Sequence, residues 1–254
     1  MFDAIIPELI SLTSKAGTNI MSYYKKQLHF DIKEDKTPIT IVDKISHDVI
    51  INGLKKITPN VEILSEESEN ITFEERSTWQ EYWLIDPLDG TRDFLEETGE
   101  FCICLAYIKN NKPIFGMIYA PVTQTHYYTN DKGCAIKQST STKQELITRQ
   151  FSNPMSVVVG QHSANNKYLL AHLEKKNVDQ VNKLGSALKF CAIAEGLYDY
   201  YPRFGPCSEW DTAAGVCILE GAGGRVTDMN NNSLRYNTKE DLTSPVFFAS
   251  CKPE

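Results

Sequence analysis

What the sequence lacks narrows its function before any motif is read. There is no C-x-x-C pair, and the seven cysteines (102, 104, 134, 191, 207, 217 and 251) are odd in number and scattered. Neither a zinc site nor a disulfide framework is therefore signalled. Small core hydrophobes in a reducing compartment are the expectation, Cys102 and Cys104 included, which lie two apart in a strand-like run and share a face. An excess of positive charge is also missing. The formal net charge is -7, which argues against general nucleic-acid binding, since that needs a basic surface to release counterions. A small polyanionic substrate is repelled at long range, so its attraction must be local, through metal ions and a few Lys or Arg side chains. No apolar run approaches membrane-spanning length. The basic and apolar segments of a signal peptide are absent from the N-terminus, and an intracellular protein is expected. Repeats and low-complexity tracts are absent. Gly221-Ala222-Gly223-Gly224 lacks the G-x-G-x-x-G spacing and reads as a helix C-cap running into a strand.

What is present describes a folded chain. Its 254 residues are 41% hydrophobic and 23% charged, enough for one large domain or two modest subdomains. Apolar residues at helical spacing predict a long helix from Phe2 to about Gln27, with a weak point at Gly17, and a second from about Thr40 to Ile57. Between them, Asp31 to Pro38 reads as a loop or hairpin. Val61–Leu64 is a short strand, and Glu69 to Trp79 reads as an exposed connection. From Phe101 to Lys137 the pattern is an antiparallel meander, so the first part, residues 1–138, is α+β. Ser139 to Asn153 is rich in Ser, Thr and Gln and marks the expected junction. Residues 139–254 alternate strand and helix, with strands at Met155–Val159, near Val181, Leu197–Tyr201, Arg225–Thr227 and Val246–Ala249. The intervening helices are Lys167–Lys175, Ser186–Gly196 and Trp210–Glu220. This half reads as α/β with some parallel strands.

The chemistry is placed at Trp83-Leu84-Ile85-Asp86-Pro87-Leu88-Asp89-Gly90-Thr91. Trp83–Ile85 reads as a short buried strand, Asp86 as the first polar residue beyond it, and Pro87 as the stiffener of the turn. Asp86, Asp89 and the Leu88 carbonyl offer oxygen ligands of the kind Mg²⁺ prefers. Gly90 and Thr91 open a helix turn whose N–H groups suit a phosphate. In isolation D-P-x-D-G is an ordinary turn. Two further acidic positions change the reading: Glu66, after a strand, and Asp211, at a helix start where its plain role is an N-cap. Asp43 falls in the first turn of the second helix, where a carboxylate is favoured by the dipole. His47, one turn on, reads as an exposed side chain rather than a metal ligand. Bare carboxylates held together repel one another by several kcal/mol at an intermediate dielectric, and divalent cations remove that cost.

Ser65-Glu66-Glu67, Asp86-Pro87-Leu88-Asp89-Gly90-Thr91 and Trp210-Asp211-Thr212-Ala213-Ala214-Gly215 together resemble the signatures of the lithium-sensitive, magnesium-dependent inositol monophosphatase superfamily. Within it the chain most resembles the bacterial 3'(2'),5'-bisphosphate nucleotidases, through Thr37–Asp43, Gly90–Phe94, Gly99–Phe101, Gly116–Pro121, Leu184–Cys191 and Tyr201–Pro206. The resemblance spans nearly the whole chain. It implies a layered αβαβα sandwich and a site with two or more Mg²⁺ held by Glu66, Asp86, the Leu88 carbonyl, Asp89 and Asp211. It implies that Asp43 and Thr91, with Glu66, prepare the attacking water. Substrate contacts fall to Glu66, Leu88, Asp89, Gly90, Thr91, Ser186, Lys189, Arg203 and Asp211. The implied reaction removes the 3'-phosphate of adenosine 3',5'-bisphosphate, giving AMP and phosphate, and extends to the 5'-phosphosulfate analogue. Two positions depart from the pattern, Ala187 for a second Ser and Cys207 for Thr, and both bear on nucleotide contacts. An inositol monophosphatase or sugar bisphosphatase is the alternative enzyme, and an inactive phosphate or nucleotide sensor the alternative outside enzymes. The implied location is cytoplasmic. Relatives of this kind are found at the inner face of the membrane, yet nothing here anchors the chain there. The oligomeric state is not readable from the sequence.

Overall fold

The structure, a computed structural model, describes residues 1–26, 30–32, 38–68, 71–163 and 165–252. Helix α1 (Phe2–Tyr23) carries Phe2, Ile6, Leu9, Leu12, Ala16 and Ile20 on one buried stripe at three- and four-residue steps. It does not weaken at Gly17. A Cβ there would meet the Tyr119 ring at 2.4 Å, so the missing side chain admits an aromatic neighbour that outweighs the helix cost of glycine. Strands β1 (Phe30–Ile32) and β2 (Pro38–Thr40) pair antiparallel, as a hairpin requires, and 33–37 lie outside the described residues. Helix α2 (Ile41–Ile57) leads to β3 (Glu62–Ser65).

The connection expected to be exposed contains a short helix, α3 (Phe73–Arg76), capped by Thr72, whose Oγ1 accepts from the Glu75 N–H at 3.2 Å. Residues 69 and 70 lie outside the described residues. Arg76 is buried, with its guanidinium donating to Asn237 Oδ1 and to the Lys239 and Glu240 carbonyls. A charged residue can be buried when its donors are used in this way.

Strand β4 (Glu81–Asp89) is much longer than Trp83–Ile85 and runs through Pro87. It pairs with β5 (Cys102–Lys109) such that Asp86 faces Cys104 and Asp89 faces Cys102, with an irregularity between. Two residues on β4 oppose one on β5, which is a bulge. Pro87 sits inside it, where a missing N–H is tolerated. Helix α4 (Thr91–Leu95) follows. Strands β6 (Lys112–Ala120), β7 (Thr125–Thr129), β8 (Ala135–Gln138) and β9 (Lys143–Glu145) complete a seven-stranded sheet in the order β3-β4-β5-β6-β7-β8-β9. Only β3–β4 is parallel. The sheet thus extends past residue 138 to Glu145.

The second sheet contains β10 (Met155–Val159), β11 (Val178–Lys183), β12 (Tyr200–Arg203), β13 (Arg225–Asp228) and β14 (Phe247–Ser250). Its order is β11-β10-β12-β14-β13, parallel around β10 and antiparallel around β14. Helices α5 (Lys167–Leu173), α6 (Leu188–Ala194) and α7 (Trp210–Gly221) accompany it. The alternation of β4 and β5 sorts the layers. Trp83, Ile85, Ile103, Leu105 and Tyr107 face α1 and α2, while Leu84, Cys102, Cys104 and Ala106 face α6 and α7. The opposite side of α6 and α7 meets Tyr201, Val226, Phe247 and Ala249 of the second sheet. Leu169 of α5 covers that sheet's far face at Val157 and Tyr200. The order is helix, sheet, helix, sheet, helix, the expected αβαβα sandwich.

Candidate active site

Before the bulge, even-numbered residues of β4 face α7, so Asp86 follows Tyr82 and Leu84 toward that helix. The bulge then turns Asp89 to the same side. Asp211 enters from the first turn of α7. One carboxylate oxygen from each of Asp86, Asp89 and Asp211 lies within 4.8 Å of the others. Asp211 is not the N-cap of α7. That position is Glu209, and Asp211 Oδ2 accepts from the Ser208 N–H at 2.9 Å. Asp86 Oδ1 accepts from the Leu88 N–H at 2.9 Å, which holds the bulge closed, and Ser46 Oγ donates to the Pro87 carbonyl at 2.7 Å from α2. Asp89 Oδ2 accepts the Ala187 N–H at the entry to α6.

These groups open on a cavity of about 520 Å³. Its walls include Glu66, Asp86, Leu88, Asp89, Gly90, Thr91, Ser186, Lys189, Arg203 and Asp211. All the residues expected to bind metal or substrate therefore meet in one place. Asp43 stands behind them, buried, and accepts a hydrogen bond from Thr91 Oγ1 at 3.0 Å. Gly90 takes φ +92, a conformation that glycine adopts without strain, at the start of α4.

The electrostatics are those of crowded, buried carboxyls. Burial raises the Asp86 carboxyl well above its usual range, and Glu66, Asp89 and Asp211 raise it further. Burial and the Asp211 charge push Asp89 up to about 7, with Lys189 acting in the opposite direction. Burial and Glu66 raise Asp211. Carboxyls that resist ionisation because they crowd one another are relieved by a divalent cation, and an all-oxygen donor set suits a hard one. The residues present fit such an ion.

The cationic side differs from a solvated surface. Lys189 is buried, and its ammonium donates to the Leu184 carbonyl at 3.2 Å and to the Ser186 carbonyl, 5.2 Å from the Tyr201 ring centre. Burial lowers its pKa, as does Arg203. Arg203 Nη2 donates to the Pro206 carbonyl at 2.6 Å, and Nε, buried, has no hydrogen-bond partner.

Sequence reasoning missed several neighbours. His47 is half-buried and bonded to Ser65 Oγ at 2.9 Å rather than exposed. Glu100 ties two loops of the second half to the first, accepting from the Gly185 N–H at 2.7 Å and from Gln161 Nε2 at 2.6 Å. Three cysteines lie against the acidic trio. Cys102 and Cys104 Sγ are 3.6 and 3.9 Å from Asp89 Oδ2, and Cys207 Sγ is 3.4 Å from Asp211 Oδ2. The shared face of Cys102 and Cys104 was readable from their spacing. That the bulge would set Asp89 over them was not.

Comparison with known proteins agrees with this geometry. The inositol monophosphatase family description matches residues 3–249. The 3'(2'),5'-bisphosphate nucleotidase CysQ of Salmonella typhimurium is 38% identical over 96% of this chain and 98% of its own. CysQ of Escherichia coli K12 is 38% identical over 97% and 99%. Among solved structures, CysQ from Bacteroides thetaiotaomicron superposes with a TM-score of 0.85 at 31% identity, covering 100% of this chain and 99% of that one. A Thermotoga maritima IMPase shares the fold, with a TM-score of 0.78 at 24% identity over 95% and 89%. With the carboxylates gathered as the signatures require and the match running the length of the chain, this protein belongs to the inositol monophosphatase family.

Proposed function

We propose that the protein is a Mg²⁺-dependent phosphomonoesterase that removes the 3'-phosphate of adenosine 3',5'-bisphosphate, yielding AMP and inorganic phosphate. The observation that carries this is a single cavity holding both an acidic trio and two cations, buried Lys189 and half-buried Arg203. One end suits the ester to be cut, and the other suits a second phosphate that is kept. The full-length likeness to proteins named as bisphosphate nucleotidases supports the same substrate.

Glu66, Asp86, the Leu88 carbonyl, Asp89 and Asp211 would hold the metal. When bound, Mg²⁺ supplies Lewis acidity toward water and toward the phosphoryl oxygens. The chain does the rest. Asp43 accepts a hydrogen bond from the Thr91 hydroxyl, so the Thr91 oxygen orients the attacking water, and as it takes the water's proton it passes its own to the Asp43 carboxylate. The Gly90 and Thr91 N–H groups receive the phosphoryl oxygens as charge builds on them. Arg203 offers a planar fork to the retained phosphate. Lys189 is already committed to two carbonyls, so it contributes charge and holds the Ser186 loop. The parts are divided between the halves: residues 1–138 supply the water-activating pair and most metal ligands, and residues 139–254 supply Asp211 and the specificity side.

A panel measuring phosphate release from adenosine 3',5'-bisphosphate, its 5'-phosphosulfate analogue and inositol 1-phosphate tests the reading. The expected result is preference for the adenosine bisphosphate, dependence on Mg²⁺ and loss of turnover on chelation. Preference for the inositol ester would replace the nucleotidase reading with the alternative enzyme.

A further inference from the structure

Beneath Asp89, behind the wall of the cavity, lie two thiols. Cys102 and Cys104, both buried on one face of β5, place their sulfurs 3.8 Å apart, and 3.6 and 3.9 Å from the same oxygen, Asp89 Oδ2. Ser186 Oγ lies 3.5 Å from Cys102 Sγ. The sulfur–sulfur and Cys102–Asp89 separations are close to the edges of a coordination tetrahedron, and the Cys104–Asp89 separation is about 0.4 Å longer. With Zn–S near 2.3 Å and Zn–O near 2.0 Å, the edges are roughly 3.8 Å between sulfurs and roughly 3.5 Å between sulfur and oxygen. We propose that Asp89, Cys102 and Cys104 form a site for a soft divalent cation of the zinc and cadmium class, and that filling it withdraws Asp89 from the acidic trio and stops turnover.

The donor types sort the two kinds of ion. Thiolates select zinc and cadmium and are poor ligands for Mg²⁺, which takes carboxylates, carbonyls and water. The thiol site has three protein ligands, so a fourth position remains toward Ser186 and the cavity, which Asp89 and Ser186 both line. That is also the entry path. Binding makes two metal–sulfur bonds and one metal–oxygen bond and releases two thiol protons to solvent, with no change of oxidation state. The inhibitory consequence rests on the phosphatase reading above; the existence of the site does not.

The test uses the full-length, Mg²⁺-loaded protein titrated with Cd²⁺ and followed by thiolate-to-cadmium charge-transfer absorption. One equivalent should give a band of two-thiolate intensity. Cys102→Ala and Cys104→Ala should each halve it, and the double variant should abolish it, with far-ultraviolet circular dichroism confirming the fold. If the double variant does not fold, the two single variants decide. Cys207→Ala should leave the band in place. A band that survives both β5 substitutions, or that disappears with Cys207→Ala, overturns the site. In the activity arm, the Zn²⁺ concentration giving half inhibition should rise roughly tenfold or more in Cys104→Ala, about 1.4 kcal/mol of binding. An unchanged inhibition curve in a variant that has lost the band overturns the inhibitory step alone. If the panel finds no phosphatase activity, the absorption titration still decides the site.

Discussion

Asp89 meets three demands at once: it belongs to the acidic trio, it accepts the Ala187 N–H, and it is the oxygen nearest two thiols. In the unfolded chain its carboxyl ionises at the ordinary value of 3.8, and in the folded, metal-free chain at about 7, because burial and Asp211 disfavour the charge. Between those values the native state keeps a proton the unfolded state has released. The stability linked to this group is therefore full below the unfolded value and is lost as pH rises toward about 7. Asp89→Asn cannot ionise. In chelator, its melting temperature should gain on wild type as pH rises through that interval, and added Mg²⁺ should reverse the order. A gap that does not change with pH would mean the carboxyl is not held protonated. The same variant should lose on the order of 10²–10³-fold or more in kcat. Thr91→Val removes the hydroxyl bonded to Asp43. It should lower kcat on the order of 10²–10⁴-fold, with a much smaller change in KM. Near-normal kcat would remove Thr91 from water activation. At this scale the sequence was informative wherever a role lay in one short segment, as with Asp86 to Thr91. It was silent where a role is set by a partner far along the chain. Nothing local to His47 announces Ser65, and nothing local to Glu100 announces the Gly185 N–H it accepts.

Elements were legible through their periods and less so at their ends. The helical spacing of α1 and α2 and the alternation of β5 to β7 reappear in the fold within a few residues. The extension of β4 through Pro87 did not show in the sequence, because proline normally argues against a strand interior and only the bulge accommodates it. Likewise α3 is a single turn held by the Thr72 cap and the buried Arg76, with no apolar stripe to betray it. Gly116 is the element-scale feature that matters most for the site. A Cβ there would lie 2.5 Å from the Ala214 carbonyl, 2.8 Å from Cys217 Cβ and 2.9 Å from Ala214 Cα. The glycine lets α7 press onto β6, and α7 carries Asp211. Backbone atoms cannot give way as a side-chain tip can, so Gly116→Ala should cost about 1–3 kcal/mol of overpacking. A fall in melting temperature of roughly 2–10 °C is expected, together with reduced Mg²⁺ affinity as Asp211 is displaced. A variant that melts and binds Mg²⁺ as wild type would show that the contact does not set the position of α7.

At the scale of the whole molecule, the acidic trio is assembled from strands and helices that no single segment contains. Asp86 and Asp89 come from the seven-stranded sheet, and Asp211 from a helix lodged between that sheet and the other. The layered order could be read from the change of pattern between the halves. The junction was harder to read: the polar stretch after Gln138 looks like a linker, yet β9 within it adds an edge strand to the first sheet. A three-residue edge strand of exposed, polar residues carries almost no hydrophobic signal. This shared construction gives the last prediction. Metal that binds only the native state stabilises it by RT ln(1 + [L]/Kd), about 2.7 kcal/mol at a hundredfold excess over Kd. If both halves contribute to one site, Asp89→Asn and Asp211→Asn should each remove most of the Mg²⁺-induced rise in melting temperature, and the double variant should do little more than either. Two separate sites, one per half, would instead give partial and additive losses. Differential scanning calorimetry of the four proteins across a Mg²⁺ series separates the two outcomes, and additive losses would mean that the sandwich does not close around a common centre.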